Sequence, residues 1–148
     1  MSHKDNLDHS LPYHIRAAFR GFETALSRYL ASQDLPLSQF YILSLPWSES
    51  GSQQNEIAYK ACMTESVASQ VIQKMEKAGL VERKADPKDA RKRSVFLTEK
   101  GHTLREAVMD DGIQISKENS PDIPREDIIT TISTLIKVKK GFDIYNAK

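Results

Sequence analysis

The chain has 148 residues, a formal net charge of +1, 39% hydrophobic and 28% charged residues, and only 7% aromatics. That length fits one domain, and this balance suits a helix-rich soluble protein better than a β-sandwich. No apolar run approaches the roughly 20 residues of a membrane span, the polar start MSHKDNLDHS lacks a secretory signal's apolar stretch, and a single cysteine excludes an internal disulfide, so a reducing cytoplasm is the expected compartment.

Residues 11–31 place Ile15, Ala18, Phe19, Phe22, Leu26, Tyr29 and Leu30 on one helical stripe, with Ser10 as cap and Pro12 in the first turn. After the break at Asp34-Leu35-Pro36, Ser38 is expected to cap a short helix carrying Phe40, Ile42, Leu43 and Leu45. Pro46 stops it, because the residue before a proline avoids the α region. Glu49–Ser52 reads as a loop. QNEIAYKAC then gives a brief helix, MT a tight turn, and ESVASQVIQKMEKA a second, amphipathic helix. Thr64 caps that second helix, Ala68, Val71, Ile72 and Met75 form its buried stripe, and Gly79 ends it.

Leu80-Val81 and Ser94–Leu97 read as two strands of a hairpin. Thr98 with Glu99 opens a helix to about Glu118, and Asn119-Ser120-Pro121 is a loop. From Pro124 a last helix shows Ile128, Ile129, Ile132, Leu135 and Ile136. The apolar stripes of the first and last helices exceed what a small centre can cover. Packing them against a second copy predicts a two-fold dimer.

Charge is unevenly placed. Between Arg83 and Arg93 stand six Lys or Arg against two Asp, a local balance of +4, while the rest of the chain sums to −3. A mildly acidic body with one basic protrusion points the protrusion at phosphate. The helix at 64–78 turns Ser66, Ser69, Gln70, Gln73, Lys74 and Lys77 outward, with no acid among them. Hydroxyls, carboxamides and ammoniums are the groups that read base edges and phosphates. In the hairpin, Asp86-Pro87 suits a structured turn. Asp89 and Arg91, two residues apart on one side of a strand, are expected to pair, which would aim the guanidinium at a narrow minor groove. Arg83, Lys84, Lys88, Lys92 and Arg93 are the expected phosphate contacts.

The stretches LPLSQFYILSLPW and NEIAYKACMTESVASQVIQKMEKAGLVERKADPKDARKRSVFLTEKG resemble the MarR (multiple antibiotic resistance regulator) transcription factors, over about Leu11 to Leu104. The resemblance implies a mainly α fold with a small β-hairpin: a winged helix–turn–helix lobe at 36–100, between dimerisation helices at 10–34 and 119–146, in a single domain spanning 1–148. It implies a dimeric repressor of palindromic operators on double-stranded DNA, released by a small aromatic or phenolic ligand. The family's Asp-x-Arg wing motif falls on Asp89 and Arg91. Three departures stand out. Gln53 occupies the position of the usual capping Thr, so capping is expected to shift to Ser52; Pro46 replaces a preferred Leu; and Gln70 stands where Arg is frequent.

For an aromatic acid, Tyr13, His14 and Arg16 of the first helix with Tyr41 of the second offer rings and a cation, the alternative being interface and surface residues. Cys62, at the turn of the helix–turn–helix, reads as a small half-buried residue rather than a redox sensor. His3, His9, His14 and His102 show no ligand spacing, so neither a metal nor another cofactor is expected. No nucleophile or acid–base set emerges, so no enzyme is expected. The competing reading is a winged-helix protein–protein interaction module whose basic face meets an acidic partner.

Overall fold

The computed structural model describes residues 9–119 and 122–148. Among them the chain forms six helices and one two-stranded antiparallel sheet, in the order α1 (Leu11–Ala31), α2 (Leu37–Leu43), α3 (Gln54–Lys60), α4 (Glu65–Lys77), β1 (Val81–Ala85), β2 (Arg93–Leu97), α5 (Glu99–Glu118) and α6 (Arg125–Asn146). The fold is the expected one, mainly α with a small hairpin. His3, and Ser120-Pro121 of the expected loop, lie outside the described residues. The chain divides into two compact units, Met1–Ile115 and Ser116–Lys148.

In the first unit one apolar cluster joins Leu26 and Leu30 of α1, Leu35, and Phe40, Ile42 and Leu43 of α2. It continues through Ile57 of α3, Val71, Ile72 and Met75 of α4, Leu80, and Val81, Val95 and Leu97 of the hairpin, to Val108 of α5. Each such side chain, fully buried, contributes about 1.5–3 kcal/mol. This centre orients α4, because the stripe on its inner face leaves one rotation about the helix axis.

Local chemistry sets the helix ends. Ser10 Oγ accepts the Tyr13 N–H, and Thr64 Oγ1 accepts the Val67 N–H at 3.3 Å, both as expected. At the end of α4, Leu80 N–H reaches Met75 O and Gly79 N–H reaches Glu76 O, with Gly79 at φ +72. That is the Schellman ending, in which a left-handed residue satisfies the last carbonyls. α3 ends in the same way, with Cys62 (φ 54) in the left-handed place and Met63 N–H on Ala58 O. So does α1, with Asp34 (φ 51) there and Leu35 N–H on Leu30 O.

Ser38 is not a cap. α2 begins at Leu37 with Pro36 in the capping place, and the Pro36 carbonyl accepts from Gln39 and Phe40 N–H, so Ser38 lies within the first turn. The ring of Pro36 holds φ at −62 with no need of a side-chain cap. The other end of α2 is tied from afar: Arg105 Nε donates to Leu43 O at 2.9 Å and Trp47 Nε1 to Ile42 O at 3.1 Å.

The hairpin pairs Val81 with Leu97 through Ala85 with Arg93. β1 is longer than the expected Leu80-Val81, since Arg83 and Lys84 are paired into the ladder. The loop at 49–52 also ends differently from expectation. Ser52 bridges to Val95, exchanging both backbone hydrogen bonds at 2.9 Å, so Ser52 extends the sheet instead of capping α3.

In the second unit, α6 begins after Pro124 as expected and buries none of its residues. Ile129, Ile132, Ile136, Phe142, Ile144 and Tyr145 are all more than half exposed. Among the described residues no helix is long and apolar enough to cross a membrane.

Candidate nucleic-acid interface

α4 presents the face expected of it. Ser66, Gln70, Gln73, Lys74 and Lys77 are exposed, and Ser69 is half-buried. The two acids of the helix stand apart from that face. Glu65 occupies the first turn, where the macrodipole favours a negative charge, and Glu76 is paired with Arg83 at 3.3 Å.

The turn between β1 and β2, with the strands that carry it, forms the wing. Asp86 organises it. Its Oδ1 accepts the Lys88 N–H at 2.7 Å and the Asp89 N–H at 3.2 Å. Its Oδ2 accepts the Ser94 hydroxyl at 2.7 Å and Gln53 Nε2 at 3.0 Å. These donors, the Ser94 hydroxyl first and the Lys88 N–H next, hold the Asp86 carboxyl below the usual carboxylate range. Backbone bonds from Asp86 N–H to Lys92 O and from Lys92 N–H to Asp89 O close the turn.

Asp89 does not aim the Arg91 guanidinium. Its Oδ1 accepts the Arg91 backbone N–H at 3.1 Å, and the structure gives the two side chains no ion pair. The reason is local geometry: residues 89–92 form a turn rather than a strand, so positions two apart do not share a side.

The six wing cations separate into two groups. Arg83 is a clamp, half-buried, paired with Glu76 and donating to Gln54 Oε1 at 3.0 Å. Lys84 pairs with Glu82 and lies 5.8 Å from the Phe96 ring centroid, and Arg93 donates to the Arg83 carbonyl. Lys88, Arg91 and Lys92, at the tip, are exposed and have no ion-pair partner among the described residues. The base of the wing is therefore held by charge, and the tip offers it.

The residues expected to receive a ligand are only partly assembled. Tyr13 and His14 meet edge to face at 5.3 Å on the exposed start of α1, and Arg16 is exposed on the same helix. Tyr41 instead stacks with Phe19 at 6.5 Å and donates to Glu23 Oε1 at 3.0 Å. Burial, then the bond to Glu23, raises the Tyr41 phenol well above its ordinary range. Across the helices Tyr29 donates to Asp111, and burial and that bond raise its pKa to about 12. Cys62 is exposed rather than half-buried, because the left-handed turn points its side chain outward.

Sequence reasoning passed over Ser94, Arg105 and Trp47, took Gln53 only as the residue in place of the capping Thr, and gave Asp86 only a share in the turn. Asp86 was within reach, since Asp bonding the backbone two residues on is a known turn device. The others act across 5 to 62 residues of chain, which no local pattern encodes.

A helix–turn–helix followed by a hairpin clamped to its second helix defines a winged helix–turn–helix. Residues 35–92 match the family model of the MarR family. Over 100 residues, 68% of its length, the chain is 31% identical to the HTH-type transcriptional regulator TtmR of Methylorubrum extorquens (strain PA1), and that match spans about half (51%) of TtmR. CouR from Rhodococcus jostii RHA1, solved bound to p-coumaroyl-CoA, superposes with a TM-score of 0.82 at 20% identity, covering 90% of this chain and 94% of CouR. The Staphylococcus aureus MepR–DNA complex gives a TM-score of 0.76 at 21% identity, covering 89% and 98%. At such identities the structural likeness shows the fold. The chain belongs to the MarR family, and the relative it matches there, TtmR, is a transcriptional regulator.

Proposed function

We propose that this chain is a sequence-specific double-stranded DNA-binding transcriptional regulator, a dimeric repressor released by a small aromatic or phenolic ligand. The observation that carries the reading is the acid-free outer face of α4 beside a wing whose tip cations have no ion-pair partner among the described residues. Ser66, Ser69, Gln70, Gln73 and Lys74 meet base edges in the major groove, while Lys88, Arg91 and Lys92 reach the adjoining minor groove and its phosphates. Arg83, Lys84, Asp89 and Arg93 shape the wing and add its field rather than direct contacts. MepR, which shares the fold, is solved as a complex with DNA.

Two-fold association is supported by the bare apolar faces of α1 and α6. Ile15, Phe19 and Phe22 on the one, and Ile129, Ile132 and Ile136 on the other, are each more than a third exposed, and such faces mark association surfaces. Two recognition helices then enter successive major grooves roughly 34–36 Å apart. The ligand enters beside Tyr41, with Tyr13, His14 and Arg16 at the open end of α1; support comes from the p-coumaroyl-CoA held by CouR, a phenolic thioester.

Fluorescence anisotropy tests the reading, comparing duplexes from the region upstream of the coding sequence with scrambled duplexes at about 50 and 200 mM salt. Preference for one segment that survives the higher salt, and that aromatic carboxylates abolish, is expected. Equal binding to all duplexes, erased by salt, would refute it in favour of an acidic protein partner.

A further inference from the structure

Gln53 occupies the capping position of α3, yet its side chain makes no cap. Nε2 instead donates to Ser94 Oγ at 2.7 Å and to Asp86 Oδ2 at 3.0 Å. Ser94 is 1% exposed, on β2, and its hydroxyl donates to the same Asp86 oxygen at 2.7 Å. One carboxylate thus gathers the turn of the wing through Oδ1 and the start of the helix–turn–helix through Oδ2. The neighbouring residues add to the junction: Ser52 bridges Val95, and Gln54 receives Arg83.

A two-stranded hairpin is marginally stable by itself. The angle at which this one leaves the body therefore depends on what holds its base. We propose that Gln53, Asp86 and Ser94 form a latch that fixes the wing relative to α4, making Gln53 a positioning residue for reading the DNA that flanks the recognition-helix site. The inference rests on the DNA-binding function proposed above. It gives the departure at position 53 a role: the side chain is long enough to cross to the wing, where a Thr would stop at its own helix.

The latch has a polarity, with a carboxamide donor on α3 and a carboxylate acceptor on the wing, and that polarity can be reversed. Gln53→Glu faces one carboxylate with another. Gln53→Glu/Asp86→Asn restores a donor–acceptor pair in the opposite sense. Each protein is compared with wild type by anisotropy on three duplexes taken from the strongest wild-type binder: unaltered, with scrambled flanks, and with a scrambled centre.

Gln53→Glu should lose about tenfold in affinity for the unaltered duplex, the change expected when a hydrogen bond to a charged group is lost. It should no longer distinguish scrambled from native flanks, yet still discriminate the centre. The double variant should recover flank discrimination, which a merely structural role would not require. Gln53→Met, uncharged and of similar length, should lose it too, and serves where the Glu variant folds poorly. Flank discrimination retained in Gln53→Glu, or in Gln53→Met where that variant stands in, would overturn the latch, as would a double variant that fails to recover it. A wild type that selects no duplex would refute the DNA-binding function instead. In that event amide hydrogen exchange without DNA decides the latch, which requires faster exchange at Lys88 and Asp89 in Gln53→Met and unchanged exchange in α4.

Discussion

Gly101 sits where the end of α4, the close of the hairpin and the start of α5 meet, and replacing it with alanine should destabilise the protein sharply. The position is buried in the first turn of α5. A Cβ added there would fall more than about 1 Å inside normal contact with the Leu80 carbonyl oxygen and 3.1 Å from Leu97 Cδ2. Neither neighbour can yield freely: Leu80 O accepts the Thr98 N–H at 3.1 Å, and Leu97 packs in the core. Overpacking of this kind costs about 1–3 kcal/mol, and a strained Thr98–Leu80 bond about 1 more. Better helix propensity returns somewhat under 1. The net loss is about 1–3 kcal/mol, or roughly 2–12 °C in Tm for a domain of this size. Gly21→Ala is the matched control. Nothing lies within 4 Å of a Cβ there, so propensity alone should raise stability by about 0.5–1 kcal/mol. Thermal unfolding by circular dichroism measures both. A Gly101→Ala protein as stable as wild type would refute the account of this junction.

Arg91→Ala should weaken DNA binding by about 1–3 kcal/mol and flatten the salt dependence by about one counterion, as anisotropy across a salt series would show. Arg83→Ala should act the other way round, lowering Tm by removing the clamp to Glu76 and Gln54 while leaving the salt slope nearly unchanged. Because native contacts lower the Asp86 pKa, its ionised form stabilises the fold fully above the unfolded value of about 3.9 and progressively less as pH falls through the lower folded value. Urea titrations should therefore show wild type exceeding Asp86→Asn by a constant margin above about pH 5 and converging with it in acid. Cys62→Gly should raise stability by up to about 1 kcal/mol by relieving a left-handed non-glycine residue, and Cys62→Val should lower it, with DNA affinity unaltered in both.

Where the sequence was legible, the signal was local. Ser10, Thr64 and Gly79 reach backbone groups a few residues away, and the stripe Ala68, Val71, Ile72, Met75 repeats with the helical period, so helix ends and the inner face of α4 were readable in advance. The outer face followed by subtraction. Two of the three Schellman endings were hidden because Asp34 and Cys62, rather than glycine, adopt the left-handed conformation. Arg83 and Lys84 looked like wing-tip charges because charge in a sequence does not show whether its partner is near. Glu76 lies seven residues away from Arg83, across the turn that ends α4.

The sequence by itself determined the order of elements, the buried face of each helix in the core and the concentration of positive charge between residues 83 and 93, because periodicity, capping and composition are properties of neighbouring residues. Tertiary structure decided which of those charges are available. Arg83 and Arg93 are drawn into holding the wing, Lys88, Arg91 and Lys92 are left at its tip, and Asp86 serves the junction with α3 as well as its own turn. Those choices depend on side chains tens of residues apart meeting within hydrogen-bonding distance, and only the packed core brings α3, α4 and the hairpin together closely enough for that.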